Sequence, residues 1–279
     1  MTATNALRTH WPEYLIEGWA LGTFMISAGL VATLLGAPAS PVHRALPDPM
    51  WRQAAGGIAM GLTAIALIHS RWGKRSGAHM NPAVTLTFLR LGKISPWDAL
   101  FFVIAQVVGG VSGVLLVAAL AGHSFSDPPV NYAATLPGPG GPAAAFAAEF
   151  MISAVLMLTV LSVSASARLA PFTGLIAGCL VATYIAFESP LSGMSMNPAR
   201  SLASAAPGML WHHLWIYLTA PLLGMLAGAQ VFLLVAGAKH VLCAKLLHPL
   251  GVPCIHCGYE PRAADRGESS AAQPGSARA

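Results

Sequence analysis

The sequence predicts an all-α transmembrane protein with six spanning helices and two half-helices, arranged as an inverted repeat of three spans plus three. Three observations predict it. Of the 279 residues, 55% are hydrophobic and only 9% are charged, whereas soluble domains carry about a quarter charged residues. Six apolar stretches approach the roughly 20 residues that a helix needs to cross hydrocarbon. Finally, the phrase Ser-Gly-x-x-Met-Asn-Pro-Ala-x-x-Leu occurs at both 76–86 and 192–202.

The apolar stretches define the spans in order. The predicted spans are Tyr14–Leu35, Trp51–Ser70, Trp97–Leu120, Ala143–Val163, Pro171–Phe187 and Leu214–Gly237. The first stretch lacks the basic run, short apolar core and cleavage site of a signal peptide, so we expect it to be retained. We therefore expect a channel domain over 13–237, with repeats over about 13–120 and 143–237, after a short N-terminal segment, 1–12.

The positions of Lys and Arg predict the orientation. With the N-terminus inside, twelve of the 15 basic residues fall on the cytoplasmic side, and only Arg44, Arg52 and Arg200 fall outside. Because basic residues concentrate in cytoplasmic loops, we expect both termini in the cytoplasm and the chain in the inner (plasma) membrane. The formal charge of +5 then reflects topology in a lipid bilayer and needs no nucleic-acid partner. The tail, 238–279, is polar and rich in Ala, Gly, Ser and Pro, so we expect it to be mostly disordered.

The repeated phrase lies in equivalent places of the two halves. The first copy follows span 2 and the second follows span 5. Because three is an odd number of spans, the second half enters the membrane with the opposite orientation. Such inverted repeats place a site near the bilayer midplane.

Each phrase encodes a helix too short to span. Asn is a good N-cap, Pro suits the first helical position, and Gly or Pro-Gly ends each segment. A half-helix at membrane depth must line a cavity or be buried in protein. The residues concerned are Asn81, Pro82 and Ala83 in the first copy, and Asn197, Pro198 and Ala199 in the second. We expect extended segments before each Asn, whose carbonyls (77–80 and 193–196) form a ladder of acceptors.

Two acidic residues occur early in spans 1 and 4. Glu17 and Glu149 occupy positions where lipid penalises a charge, and acids in such positions are usually functional. We expect both to accept hydrogen bonds from the loops before the half-helices. The alternative is that their side chains reach the interface. Pairs of small residues four apart, such as Gly18 with Gly22, recur in the spans and indicate close helix packing.

On these residues the chain resembles the major intrinsic proteins, the aquaporins and aquaglyceroporins, and looks like a bacterial-type member. The resemblance covers about 12–237 and includes "GTF" (22–24), "AQVVGG" (105–110) and Arg200 directly after the second Asn-Pro-Ala. It implies an hourglass fold with half-helices meeting head to head, and a homotetramer with one pore per subunit. No cofactor is expected.

The resemblance also implies four wall positions at the outer constriction. They are Met60, Ile185, Met194 and Arg200, with Gly61 as the alternative to Met60. Water-selective members carry Phe and His at the Met60 and Ile185 positions, so this ring is softer and more apolar. Ser201 and Ala205 look aquaporin-like, whereas Leu218 resembles the glycerol side.

We therefore predict a passive channel for water that also passes small uncharged solutes, glycerol and hydrogen peroxide, and excludes protons and ions. One alternative is a facilitator of glycerol or another small neutral solute with low water flow. A coupled secondary transporter also uses inverted repeats, but it would need a titrating carboxylate at the midplane. The chain carries no nucleophile–base pair or phosphate loop, so we do not expect an enzyme.

The tail contains a separate cysteine motif. Cys254-x-x-Cys257, with Cys243, His248 or His256, has the ligand types of a structural zinc site. A single Cys-x-x-Cys is a weak indication, so the sequence alone assigns no metal site, and a reduced, disordered tail is the alternative. Structural disulfides are not expected in a reducing compartment.

Overall fold

The computed structural model describes residues 1–248 and 251–261. Within these residues the regular structure is entirely helical. The eight main helices are α1 (Ala3–Gly36), α2 (Pro49–His69), α3 (Pro82–Arg90), α4 (Pro96–Ala121), α5 (Gly141–Ser164), α6 (Thr173–Phe187), α7 (Pro198–Ala205) and α8 (Leu214–Val235). Short α-helices cover Pro41–Ala45, Arg71–Ser76, His123–Ser126 and Ser189–Ser192, and 3-10 turns cover Asn131–Ala133, Ala170–Phe172 and Ala238–His240. The predicted all-α transmembrane class is confirmed.

Among the residues that the structure describes, five helical segments are long and apolar enough to cross a membrane: α1, α4, α5, Ala170–Phe187 and α8. The remaining predicted span, α2, has 21 residues but carries Arg52, Gln53 and His69, which lower its mean hydropathy. α1 begins at Ala3, well before the predicted Tyr14. The Thr2 side chain caps it by accepting a hydrogen bond from the Asn5 amide, and Pro12 lies inside the helix.

The same helix pairs recur in both halves. α1 packs along α4 in the first half and α5 along α8 in the second, while α2 packs against α6 between the halves. Glycines permit the close approach: a Cβ built on Gly22 would lie 2.9 Å from the Gly109 carbonyl oxygen, and one on Gly61 would lie 2.7 Å from that of Gly178. Larger side chains at these crossings would therefore separate the helices.

The two half-helices meet inside this bundle. α3 contacts α4 and α8, α7 contacts the same two helices, and α3 and α7 contact each other. Both begin with Pro directly after an Asn cap. Their N-termini therefore face each other in the interior of the bundle.

The tail differs from its predicted disorder over 238–248 and 251–261. Val241, Ala244, Leu246 and Cys254 are buried there, and the first three belong to the main hydrophobic core. The apolar residues of this segment bury surface against the bundle, which composition alone does not reveal. The rest of the tail, 249–250 and 262–279, lies outside the described residues.

Candidate pore and its loops

A cavity of about 570 Å³ runs through the bundle. At one end it is lined by Arg52, Gln53 and Val130, and at the other end by His79 and Leu246. Between these ends its wall includes both half-helix caps and the residues before them: Met80, Asn81, Met196 and Asn197. The cavity is thus continuous from one mouth of the bundle, past the facing half-helices, to the tail.

The two Asn residues cap their own half-helix and hold the opposite loop. The Asn81 Oδ1 accepts from the Ala83 amide at 2.8 Å, and its Nδ2 donates to the Met196 carbonyl at 2.6 Å. Asn197 does the same, because its Oδ1 accepts from the Ala199 amide at 3.1 Å and its Nδ2 donates to the Met80 carbonyl at 2.7 Å. A side-chain amide has two N–H groups, so each Asn keeps one beyond this cross-link.

Glu17 organises the loop before α3. Its carboxylate, fully buried, accepts from the Ser76 hydroxyl at 2.7 Å, from the His79 amide at 3.0 Å and from the Met80 amide at 2.7 Å. The Gln106 side-chain amide of α4 donates a fourth hydrogen bond at 2.9 Å. The charge is therefore buried among donors, as a buried carboxylate requires.

Glu149 makes the equivalent contacts in the second half. It accepts from the Ser192 hydroxyl at 2.8 Å, the Ser195 amide at 2.6 Å and the Met196 amide at 2.7 Å. The Tyr217 hydroxyl of α8 donates to the Ser192 carbonyl at 2.5 Å. Both acids therefore point into the protein and do not reach the interface.

The loops are not extended as expected. Gly77, Ala78 and Met80 have positive φ, as do Gly193, Met194 and Met196. A non-glycine residue in this region is strained, and the hydrogen bonds to Glu17 and Glu149 hold the strained backbone in place. Of the expected ladder, the carbonyls of Met80 and Met196 receive the Asn side chains, and that of Gly77 receives the Leu246 amide at 3.2 Å.

All four predicted wall residues line the cavity: Met60, Ile185, Met194 and Arg200. Gly61, the alternative to Met60, instead faces α6. The Met60 sulfur lies 3.7 Å from the Ser27 hydroxyl. The Arg200 Nη1 is buried and has no hydrogen-bond partner in the described part of the chain.

Sequence reasoning missed two supporting residues, Gln106 and Tyr217. Gln106 bonds to Glu17 and to the Thr85 hydroxyl, and it lies within "AQVVGG", where a polar residue in an apolar helix is the only signal. Tyr217 offers no comparable signal. His79 bonds through Nε2 to the Ala244 carbonyl of the tail at 2.8 Å.

A further acid, Glu188, lies just after α6, at the end of the bundle opposite the tail. Burial raises the pKa of Glu188 to about 7. The Ser192 hydroxyl nearby donates to Glu149, and neither Glu188 carboxylate oxygen has a hydrogen-bond partner among the residues described. The charged form is therefore poorly solvated at this site.

The four candidate metal ligands of the tail also come together. The ligand atoms of Cys243, His248, Cys254 and Cys257 all lie within 4.8 Å of one another. Cys254 is buried and Cys257 is exposed.

The comparisons with known proteins agree with this geometry. The family model described as "Major intrinsic protein" matches residues 10–232. The chain belongs to the major intrinsic protein family. This confirms the resemblance, and with it an integral, multi-pass membrane protein whose fold is aquaporin-like.

Similar members are plant proteins, so the expected bacterial-type character is not borne out. A probable aquaporin NIP-type of Nicotiana alata is 34% identical over 180 residues, covering 64% of each chain. Aquaporin NIP6-1 of Arabidopsis thaliana is 38% identical over 177 residues, covering 63% of this chain and 55% of its own. The matched region spans less than two thirds of each relative. The X-ray structure of the aquaglyceroporin from Plasmodium falciparum superposes with a TM-score of 0.68 at 20% identity, covering 83% of this chain and 99% of that one.

Proposed function

We propose that this protein is a passive transmembrane channel for water that also passes small uncharged solutes, glycerol and hydrogen peroxide, while excluding protons and ions. The observation that carries the proposal is the pair of half-helices facing each other across a continuous cavity, with Asn81 and Asn197 in its wall. The printed names of its relatives, aquaporins and an aquaglyceroporin, agree with it.

The half-helices account for the exclusion of cations. Each helix N-terminus carries about half a positive charge, and α3 and α7 direct theirs at the same point. The remaining N–H of each Asn donates to a passing water, whose own hydrogens then point away from both residues. This interrupts the hydrogen-bonded file that would conduct protons, an effect of half-helix dipoles known for aquaporin-type pores. Arg200 adds a full positive charge at the constriction.

The wall residues account for the passage of solutes larger than water. Met60, Ile185 and Met194 are apolar, and methionine is flexible, so a solute wider than water meets a modest steric barrier. A polyol gives up hydrogen bonds to water, each costing about 1 kcal/mol or more when unreplaced. Arg200 repays part of that cost on one side. We therefore expect glycerol to pass more slowly than through a dedicated facilitator.

Glu17 and Glu149 argue against a coupled transporter. Each carboxylate is fully buried and holds the loop before a half-helix through three or more hydrogen bonds, which is a bracing contact and not a position open to a transported ion. We further propose that the chain is a homotetramer with one pore per subunit, in the plasma membrane with both termini cytoplasmic. Native mass spectrometry and protease accessibility in oriented vesicles test these two points.

Stopped-flow light scattering on proteoliposomes tests the function. We expect faster osmotic shrinkage than in empty vesicles, with a low activation energy, and slower but measurable entry of glycerol and peroxide. Since Leu246 lines one end of the cavity, Leu246→Ala is measured beside the wild type. If neither protein exceeds empty vesicles although both are folded, the channel proposal fails. High glycerol entry with low water flow would instead indicate a solute facilitator.

A further inference from the structure

Four side chains of the tail have the arrangement of a tetrahedral metal site. The Cys243 and Cys254 sulfurs lie 3.4 Å apart, and the His248 Nε2 lies 3.2 Å from the Cys257 sulfur. All four ligand atoms lie within 4.8 Å of one another. Zinc bonds of about 2.3 Å to sulfur and about 2.0 Å to nitrogen place tetrahedral ligands roughly 3.5–3.8 Å apart. The observed separations, from 3.2 Å to at most 4.8 Å, include these ligand–ligand distances.

The backbone around the Cys-x-x-Cys pair is folded as a tight turn. The Gly258 amide donates to the Cys254 carbonyl at 3.0 Å, and the Cys254 amide donates to the Tyr259 carbonyl at 2.9 Å. Gly258 has a φ of +70°, which glycine adopts without strain. The turn brings Cys254 and Cys257 together without help from a hydrophobic core of its own.

The folded tail is attached to the loop before α3. The Leu246 amide donates to the Gly77 carbonyl at 3.2 Å, and the His256 Nε2 donates to the Ser76 carbonyl at 2.8 Å. The His79 Nε2 donates to the Ala244 carbonyl at 2.8 Å. Among the described tail residues, Leu246 alone lines the cavity. The tail thus covers this mouth of the cavity and places a leucine side chain over it.

We propose that Cys243, His248, Cys254 and Cys257 bind one zinc ion, and that this site holds Leu246 over the cytoplasmic mouth of the pore and restricts flow. The second part rests on the proposed function. Three thiolates and Zn²⁺ leave one net negative charge, and Lys245, which is buried and donates from Nζ to the Pro253 carbonyl at 2.9 Å, supplies a nearby positive charge. A short segment that packs only on the bundle surface gains further folding energy from such a metal.

The metal content of the full-length protein tests the site directly. Protein purified in detergent without chelators, then incubated with zinc and desalted, should hold about one zinc per chain by elemental analysis. Co²⁺ in its place should give the absorption bands of tetrahedral thiolate coordination. The Cys254→Ser, Cys257→Ser double variant should lose both signals. Cys179→Ser is the matched control, because this cysteine lies on α6, outside the cluster.

Two results overturn the metal site. One is a wild type that holds less than about 0.1 zinc per chain or no more than the double variant. The other is a count of free thiols below the four cysteines, measured after zinc removal under denaturing conditions without reductant. A low count would mean that a disulfide, such as one between Cys243 and Cys254, replaces the metal site. Four free thiols support zinc.

Water permeability tests the effect on the pore. In zinc-loaded proteoliposomes a membrane-permeant chelator should raise water permeability about fivefold, as the open fraction rises. Leu246→Ala should give the same increase with zinc still bound. Leu242→Ala, an exposed tail leucine, should behave as the wild type. Bound zinc with permeability unchanged by chelation and by Leu246→Ala overturns the restriction. Permeability equal to empty vesicles in every form instead rejects the channel and leaves the zinc result standing.

Discussion

The two loops that precede the half-helices are held in the same way but covered differently. In each loop a serine hydroxyl and the backbone amides of two consecutive residues donate hydrogen bonds to one buried glutamate, Glu17 or Glu149. In each loop the same serine also accepts from the amide two residues on. The bonding pattern of the serine and the two amides is thus repeated atom for atom.

The loops differ where they leave the centre. His79 and the equivalent Ser195 both bond to a hydroxyl of their own half-helix, that of Thr85 at 3.0 Å and that of Ser201 at 2.6 Å. Only His79 also reaches outward, to a carbonyl of the tail. The tail covers the first loop. Beside the second loop the Gly138 amide, which belongs to the segment before α5, donates to the Leu191 carbonyl at 3.0 Å. Val84 follows the first Asn-Pro-Ala and Arg200 follows the second. The centre is therefore constrained by the meeting of two helix ends, and the two mouths are free to differ.

Removal of the shared glutamates should have the largest effect. Glu17→Ala removes four hydrogen bonds and Glu149→Ala removes three. Hydrogen bonds to a charged group contribute about 1.5–3 kcal/mol each, which approaches the 5–15 kcal/mol stability of a typical domain. We expect almost no folded protein from Glu17→Ala and slightly more from Glu149→Ala, measured by size-exclusion chromatography in detergent. Glu260→Ala, at an exposed tail acid, is the control. Normal yields from both variants would contradict the bracing role.

Arg200→Val makes the second loop match the first at this position. The substitution removes the fixed positive charge, whose repulsion of another unit charge at 4 Å is about 4 kcal/mol at an effective dielectric of 20. We expect proton or cation leak to rise about tenfold or more, while water flow persists. A pH-sensitive dye inside proteoliposomes measures the leak. Val84→Ile keeps the charge distribution and should show none. An unchanged leak in Arg200→Val would mean that this residue does not set the barrier.

The Met60→Phe, Ile185→His double variant narrows the mouth that carries Arg200. The aromatic rings reduce the width, and the His offers a donor suited to a single water. We expect glycerol entry to fall about tenfold while water flow changes less than about twofold. Ile58→Phe, on the exposed side of α2, should change neither rate. If the wild type already rejects both glycerol and peroxide, the inference from the size of these residues is wrong.

Features of the fold that depend on local sequence signals could be predicted, and features that depend on distant residues could not. The spans and half-helices follow from local signals, namely apolar runs and an Asn cap before Pro, so both the fold class and the residues at the centre were predictable. The positive φ of Ala78 and Met80 was not, because the distant Glu17 imposes it. A polar Gln106 in an apolar helix indicates a buried partner, but nothing local identifies that partner as Glu17, 89 residues away. The ordered tail depends on surface offered by the bundle, which its own composition does not indicate.

The smallest expected effect concerns Glu188, an acid of the second half. It lies four residues before Ser192, and the residue four before Ser76 in the first half is Trp72. Burial raises the pKa of Glu188 from 4.5 to about 7, so the folded protein binds this proton more tightly than the unfolded chain. Stability from this group is therefore full below about pH 4.5 and is lost as pH rises through 7.

Glu188→Gln removes that loss, because its side chain stays neutral at every pH. We expect the apparent Tm of the variant in detergent to match the wild type near pH 5 and to exceed it by about 2–4 °C near pH 8. Glu260→Gln, at the exposed tail acid, should give no such pH-dependent difference. A benefit that is larger at pH 5 than at pH 8 would mean that Glu188 is stabilised as the carboxylate, with a partner at this mouth that the first half lacks.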